Sequence, residues 1–215
     1  MRDLILFDLD GTLTDPAEGI TNSVRYALRK HGITVNDPSA LYPFIGPPLI
    51  DSFMRFYGFP KSEAVRAVDD YREYYADRGI WENKLYDGIP ELLAALRNAG
   101  RTVCMATSKP EVFARKIAKH FQIDGYFHFI AGSLMDETRT KKADVISYAL
   151  QSLGRTMPDG AIMVGDRSYD VLGAHEVGLN CIGVTYGYGS AEELTSAGAD
   201  ALADSPQALR KLLLG

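Results

Sequence analysis

LILFDLDGTLTD, at residues 4–15, is the stretch that predicts the fold of this chain. Its first four residues are apolar, and a short apolar run that ends near a glycine turn is typical of a buried strand in a parallel sheet. Asp8 directly follows this run, so we expect its carboxylate at the carboxyl end of the strand, where ligands of open α/β sheets bind. Asp10 points the same way in an extended backbone. The stretch therefore predicts two carboxylates at one site of an α/β protein.

Two carboxylates this close repel each other, and a bound cation is the usual way to keep both ionised. Gly11 adds a permissive turn and exposed backbone N–H groups beside them. The alternative is an ordinary turn, because Asp and Gly are common turn residues without any ligand. An isolated Asp-x-Asp-Gly leaves both interpretations open.

Composition limits the class of protein. The 215 residues include 46% hydrophobic and 24% charged residues, as expected for a soluble globular protein. The formal net charge of −5 disfavours nucleic-acid polymers and anionic membranes as partners. We find no run that could span a bilayer or serve as a secretory signal, so we expect a cytoplasmic protein. The sequence does not distinguish a monomer from a weak homodimer.

The chain length predicts a core domain with a smaller module. Residues 16–79 have a helical pattern without strand-like alternation, and we expect them to form an inserted α-helical domain. Residues 1–15 and 80–215 then form the core domain. Aromatic residues cluster in the inserted segment, either as the core of a helical bundle or as a substrate cage. They are Tyr42, Phe44, Phe53, Phe56, Tyr57, Tyr71, Tyr74 and Tyr75.

After residue 80, predicted strands alternate with predicted helices, which indicates βαβ units. We expect a Rossmann-like α/β core of three layers, with a parallel sheet between helices. The predicted strands cover residues 102–106, 128–131, 161–164 and 181–184. Thr107 and Ser108 follow the first of these strands, and Asp166 follows the third after one glycine. Because the carboxyl ends of parallel strands meet at one edge, we expect these side chains near Asp8.

Two further segments carry charges that suit a phosphate site. Asp166 begins a G-D-x-x-x-D pattern in which Asp170 lies one helical turn later, and Mg²⁺ prefers such carboxylate ligands. Alternatively, Asp166 caps the helix and Asp170 interacts with its dipole. Lys141 and Lys142 open another predicted helix, where a lysine either neutralises phosphate or faces solvent. We favour Lys142, but adjacent lysines leave the assignment open by one residue.

These segments resemble, in order and over nearly the whole chain, the four motifs of the haloacid dehalogenase (HAD) superfamily. The matching residues are FDLDGTLTD, Thr107, Lys142 and GDRSYD. Most members of this superfamily are Mg²⁺-dependent phosphohydrolases, and the chain is most similar to the phosphoglycolate phosphatase-like and 5′-nucleotidase-like branch. The resemblance identifies residues 16–79 as the cap domain, which usually determines substrate selectivity.

The resemblance implies specific roles. Asp8 is the expected nucleophile, which forms an aspartyl-phosphate, and Asp10 the expected general acid and base. Asp8, Asp10, Asp166 and Asp170 are the expected Mg²⁺ ligands. The expected contacts to the substrate come from Thr107, Ser108, Lys109, Lys142 and Arg25, of which Thr107 and Lys142 are also expected to be catalytic. A local cap is an alternative for Thr107, and an exposed helix position for Arg25.

The expected reaction is hydrolysis of a small phosphorylated metabolite, either phosphoglycolate or a nucleoside 5′-monophosphate. A phosphomutase of the β-phosphoglucomutase type is an alternative, and it requires the aspartyl-phosphate to survive until a sugar accepts the group. A non-catalytic phosphate-binding regulatory module is another, although such a module needs no nucleophile. The sequence does not select among the phosphomonoesters.

Overall fold

The computed structural model describes residues 3–136, 138–155 and 160–215. The chain divides into two compact units, one comprising Met1–Asp15 with Leu85–Gly215 and the other Pro16–Lys84. We call them the α/β unit and the helical unit.

The sequence placed the second domain boundary between residues 79 and 80, whereas the helical unit extends to Lys84. Contacts of Glu82 account for the difference. Its backbone carbonyl accepts a hydrogen bond from the Gly19 backbone at 2.9 Å, and its carboxylate accepts hydrogen bonds from Asn22 and Tyr74. These bonds attach the segment to the helical unit.

The structure bears out the predicted fold class. The large sheet has six strands, all parallel, in the order β5-β4-β1-β6-β7-β8. The two shortest strands, β2 and β3, form a separate two-stranded sheet. In chain order, the strands of the described residues are β1 (Leu4–Phe7), β2 (Thr14–Asp15), β3 (Lys84–Leu85), β4 (Thr102–Pro110), β5 (Phe129–Ser133), β6 (Ala161–Gly165), β7 (Asn180–Val184) and β8 (Ala201–Ala203).

Helices make up the rest of the regular structure. The α/β unit contains α4 to α9, and the helical unit contains α1 to α3. The helices of the described residues are α1 (Ala17–Lys30), α2 (Leu49–Tyr57), α3 (Lys61–Tyr74), α4 (Ile89–Asn98), α5 (Glu111–His120), α6 (Lys142–Ser152), α7 (Ser168–Glu176), α8 (Ala191–Ser196) and α9 (Pro206–Leu214), with 3₁₀ turns at Pro38–Phe44 and Asp124–Tyr126 and a π-helical turn at Tyr75–Gly79. Among these described helices, none combines the length and hydrophobicity needed to cross a membrane.

Strand β1 lies in the middle of the sheet, between β4 and β6. All four of its residues are buried, which explains why its sequence is continuously apolar instead of alternating. Phe7 is level with Met105 on one neighbour and with Val164 on the other. Residues that follow these three positions therefore emerge at the same edge of the sheet.

Strands β4 and β5 run further than the sequence predicted. Their pairing is regular as far as Ala106 opposite Ala131, becomes irregular, and resumes with Pro110 opposite Ser133. Such an irregularity re-aims side chains at the end of a strand. Strand β8 was missed by the sequence analysis, because three residues are too few to show a periodic pattern.

The aromatic residues of the helical unit pack mainly against one another. Phe53, Tyr71 and Tyr75 are buried, and Phe44 meets Phe53 edge to face with ring centroids 5.0 Å apart. Core packing therefore accounts for the inner members of the cluster. Tyr42 and Phe56 remain exposed, at 43% and 42% of their surface.

We expect Leu6→Ala to lower the free energy of unfolding by about 2–5 kcal/mol, because Leu6 is fully buried at the centre of the sheet and its truncation leaves a cavity. Leu212→Ala, on the outer helix α9, is the matched control and should change it by less than about 1 kcal/mol, since Leu212 is 39% exposed. Urea denaturation of both variants measures the difference. Equal losses would contradict the assignment of the core.

Candidate active site

Asp8 occupies the edge at which β1 ends. Its backbone N–H donates to the carbonyl of Val164 on β6 at 2.9 Å, so the sheet ladder still fixes the backbone at this residue. The side chain is buried, with 5% of the residue exposed. The strand thus presents a carboxylate from a rigid position, as the sequence predicted.

Three carboxylates meet at this edge. Asp8, Asp166 and Asp170 are all buried, and one oxygen from each lies within 4.8 Å of the other two. Burial, together with the charges of Asp170 and Asp8, raises the pKa of Asp166 well above its ordinary value. Burial also raises the pKa of Asp170 to about 6, although Lys142 opposes the shift. The cluster is therefore short of positive charge.

Lys142 lies among these carboxylates at the start of α6. Its ammonium is 2.8 Å from Asp8 Oδ1 and 2.7 Å from Asp170 Oδ1, and it donates to the backbone carbonyl of Ala106 at 3.1 Å. Burial lowers the pKa of Lys142, but the two carboxylates outweigh this effect and raise it above its ordinary value. Lys141 is exposed. Of the two lysines that the sequence left open, Lys142 makes the contact.

The cluster has the properties of a divalent-cation site. Three carboxylates against one ammonium leave an excess of two negative charges when all are ionised. Asp8 Oδ1 and Asp170 Oδ1 are buried and, despite their contact with Lys142, are in no well-formed hydrogen bond with the described residues. Hard oxygen ligands of this kind suit Mg²⁺. The residues present therefore fit such an ion.

Asp166 is held from several sides. One carboxylate oxygen accepts the backbone N–H of Tyr188 at 2.8 Å, and the other accepts the hydroxyl of Thr12 at 3.3 Å. Gly11 and Gly187 pack so closely against it that a Cβ at either position would overlap this side chain. These contacts fix the direction in which the carboxylate points.

Asp170 holds the start of α7 together. Its carboxylate accepts the backbone N–H of Arg167 at 3.0 Å, and Arg167 is the N-cap residue of the helix. The alternative interpretation, in which Asp166 caps this helix, is therefore wrong. Asp170 both stabilises the first turn and contributes to the carboxylate cluster.

Asp10 has a different environment from Asp8. Its Oδ2 forms an ion pair with Lys109 at 2.5 Å, and it is not among the three carboxylates that converge. Burial raises the pKa of Asp10, and the Lys109 ammonium opposes that shift. The arrangement of these side chains therefore does not support the Asp10 carboxylate as a metal ligand.

The remaining predicted site residues differ in position. Thr107 is buried, and its hydroxyl accepts the backbone N–H of Lys109 at 3.2 Å, which is the local contact that the sequence offered as an alternative. Ser108 is half-buried at the end of β4. Arg25 belongs to the helical unit, where it donates to the carbonyl of Val35 at 3.2 Å. Substrate contacts of these residues remain predictions.

The sequence analysis missed the part played by the segment from Tyr186 to Gly189. The Tyr186 hydroxyl donates to the Thr12 carbonyl at 3.0 Å, and the Tyr188 hydroxyl donates to Asp15. This segment thus connects Asp166 to the loop after β1. The alternating Tyr and Gly residues of this segment have no spacing that would reveal these contacts.

The family is decided by comparison with known proteins. The model of the haloacid dehalogenase-like hydrolase family matches residues 5–184. The chain belongs to this family. The HAD membership predicted from the four motifs is thereby confirmed, and with it the class of enzyme, a phosphoric monoester hydrolase.

Relatives of this HAD hydrolase carry different names. The 5′-nucleotidase of Pseudomonas aeruginosa is 53% identical over 190 residues, which are 88% of this chain and 86% of the relative. The tyrosine-protein kinase PtkA of Mycobacterium tuberculosis is 45% identical over 189 residues, which are 88% of this chain and 64% of PtkA. The crystal structure of a predicted phosphatase from Clostridium acetobutylicum superposes with a TM-score of 0.97 at 50% identity, covering 100% of this chain and 99% of the other.

We expect Gly11→Ala to weaken divalent-cation binding at least about tenfold, because the new methyl group displaces the Asp166 carboxylate. Gly100→Ala is the matched control, since Gly100 also has a positive φ but no atom within 4 Å of the added Cβ. Both variants should lose about 1 kcal/mol of stability from backbone strain. Titration calorimetry with Mg²⁺ measures the affinity. Equal affinities in the two variants would contradict the expected overlap of the new methyl group with the Asp166 carboxylate.

We expect the metal-free protein to become less stable as the pH rises through about 6. The folded-state pKa of Asp170 is raised above the unfolded value, so its contribution is complete below about pH 4 and is lost above about pH 6. The free energy of unfolding should fall by up to about 1.4 kcal/mol per pH unit in this window. Urea denaturation in EDTA measures the slope, which Asp170→Asn should reduce and Asp204→Asn, at an exposed site, should leave unchanged.

Proposed function

We propose that the chain is a Mg²⁺-dependent phosphatase that hydrolyses a small phosphomonoester through an aspartyl-phosphate on Asp8. The buried cluster of Asp8, Asp166, Asp170 and Lys142 supports this proposal, because three carboxylates and one ammonium converge at one sheet edge and leave surplus negative charge there. We further propose that the substrate is a soluble phosphorylated metabolite of the cytoplasm.

Asp8 is the nucleophile in the first step. A carboxylate oxygen of Asp8 forms a bond to phosphorus, while the bond from phosphorus to the leaving oxygen breaks. The ammonium of Lys142, 2.8 Å from Asp8 Oδ1, holds the carboxylate in position and counters the charge of an incoming phosphate. Fixing Asp8 at the end of β1 reduces the entropy lost on the way to attack.

Asp10 acts as the general acid and base. It donates a proton to the leaving oxygen in the first step and accepts one from water in the second. Water then displaces phosphate from the aspartyl group and regenerates Asp8. Thr107 and Ser108, at the end of the neighbouring strand β4, bind phosphate oxygens.

Asp8, Asp166 and Asp170 are the residues that would hold a Mg²⁺ ion. Bound there, such an ion would supply positive charge to counter the charge of the phosphate. Buried acceptor oxygens and the excess negative charge of the cluster support this assignment. Tyr188 and Thr12 keep the Asp166 ligand in place through their hydrogen bonds.

Among substrates, we favour a nucleoside 5′-monophosphate over phosphoglycolate. The support is the 53% identity over most of the chain to a protein named 5′-nucleotidase. We propose that selectivity resides in Pro16–Lys84, the helical unit, which includes Arg25 as a candidate for a second anionic group.

A second candidate is transfer of the phosphoryl group to a tyrosine hydroxyl. The observation that favours it is the 45% identity to PtkA, which is named a tyrosine-protein kinase. An aspartyl-phosphate supports both outcomes, since the acceptor is water in one and a phenol in the other. The acceptor therefore has to be measured directly.

We expect Asp8→Asn to reduce phosphate release at least about 10³-fold, because the amide is a poor nucleophile. Asp204→Asn, at an exposed position in the same unit, is the matched control and should retain wild-type activity. The assay measures phosphate release from nucleoside 5′-monophosphates, phosphoglycolate and a hexose phosphate, with Mg²⁺ and with EDTA. A parallel assay incubates the protein with a labelled phosphoryl donor and a tyrosine-containing peptide, and it measures transfer of the label to the peptide.

Each outcome of this assay separates the candidates. Mg²⁺-dependent release that Asp8→Asn abolishes supports the phosphatase, and the ranking of the substrates tests the preference for nucleotides. Isomerisation of the hexose phosphate would support a phosphomutase. Transfer of the phosphoryl group to the peptide would support the tyrosine kinase candidate. Equal, metal-independent phosphate release by the wild type and by Asp8→Asn would contradict the proposal and favour a non-catalytic module.

A further inference from the structure

Lys109 forms an ion pair that the mechanism above does not use. Its ammonium lies 2.5 Å from Asp10 Oδ2, and the side chains of Lys109 and Asp10 are only 6% and 12% exposed. The sequence suggested that Lys109 contacts the substrate, but this structure engages its ammonium with Asp10. A buried ion pair contributes geometric specificity as well as charge compensation.

The backbone around Lys109 fixes the direction of this side chain. The pairing of β4 with β5 becomes irregular between Ala106 and Pro110, which re-aims the residues in between. The Lys109 N–H donates to the Thr107 hydroxyl at 3.2 Å, and the proline that follows restricts the backbone of Lys109 to extended conformations. The ion pair is therefore built into the end of the strand.

The pair leaves one oxygen of Asp10 available. Oδ2 contacts Lys109, whereas Oδ1 is buried and has no hydrogen-bond partner among the described residues. A carboxylate with one oxygen held by an ammonium and the other without a hydrogen-bond partner can accept a proton from water at the second oxygen. Asp10 needs this arrangement in the second half of the reaction.

We propose that Lys109 is a positioning residue that holds Asp10 as the base for hydrolysis of the aspartyl-phosphate. In that step a proton passes from water to Asp10 Oδ1. The water oxygen forms a bond to phosphorus, and the bond from phosphorus to Asp8 breaks, which releases inorganic phosphate and the Asp8 carboxylate. This inference rests on the function proposed above and adds a residue that directs the intermediate to water.

The test follows the phosphoenzyme in a single turnover of p-nitrophenyl phosphate by acid quench. Lys109→Met should form the phosphoenzyme at nearly the wild-type rate and hydrolyse it at least about tenfold more slowly, because Asp10 is no longer oriented. Lys109→Arg preserves the charge and should restore most of the decay rate. Lys119→Met, at an exposed position on α5, is the matched control and should behave as wild type.

Steady-state kinetics provide a second measurement. In Lys109→Met, kcat should become the same for aryl and alkyl phosphates, since phosphoenzyme decay is common to both. A higher KM with unchanged decay would overturn the proposal and identify a substrate contact. A loss of activity that increases with the basicity of the leaving group would also overturn it, because it would place Lys109 in the first step.

Two controls keep the result interpretable. If thermal unfolding shows that Lys109→Met does not fold, Lys109→Gln replaces it in the test. Lys109→Gln retains a neutral hydrogen-bond donor, so we expect its phosphoenzyme to decay more slowly than that of the wild type but not to persist indefinitely. Unchanged decay in Lys109→Gln and Lys109→Arg alike would overturn the inference. A wild type without any turnover would overturn the proposed function and this inference together, whereas active wild type with unchanged variants would overturn this inference alone.

Discussion

The site depends on the contact of one buried ammonium with two buried carboxylates. Without Lys142, Asp8 and Asp170 would face each other in a region from which water is largely excluded, at a cost of several kcal/mol. The ammonium reduces that cost but does not cancel the charge of a third carboxylate, Asp166. The resulting deficit of positive charge destabilises the cluster by itself and suits the divalent cation proposed above. The proposed affinity for the ion and the expected instability without it thus have the same electrostatic origin.

Much of this arrangement was predictable because it depends on local sequence. The apolar run of β1 predicted a buried strand, and the polar residues after β1, β4 and β6 predicted a common edge, since parallel strands bring their carboxyl ends together. The positions of Asp8 and Asp166 at this edge follow from that rule, and the position of Asp170 follows from its spacing of one helical turn after Asp166. Lys142 was ambiguous because adjacent lysines have similar local patterns, and only the packing of α6 decides which ammonium is buried.

The missed features depend on contacts between distant parts of the chain. Thr12 lies 154 residues and Tyr188 lies 22 residues from Asp166 along the chain, so no local spacing in the sequence reveals their hydrogen bonds. The pair of Asp10 with Lys109 arises from an irregular strand end, which hydrophobic patterns do not predict. The second boundary was misplaced because Glu82 is held by hydrogen bonds to residues of α1 and α3, and not by a periodic pattern.

The strand order has a consequence for the timing of synthesis. Asp8 leaves the ribosome before Asp166, which follows 158 residues later, and Tyr188 emerges later still. At roughly 5–20 residues per second, this gap lasts on the order of ten seconds. During that interval β1 lacks its neighbour β6, and Asp8 lacks the carboxylates of Asp166 and Asp170 that lie beside it in the folded protein. A nascent chain therefore carries Asp8 before its surroundings exist, and the carboxylate cluster can be complete only after β6 and α7 have been synthesised.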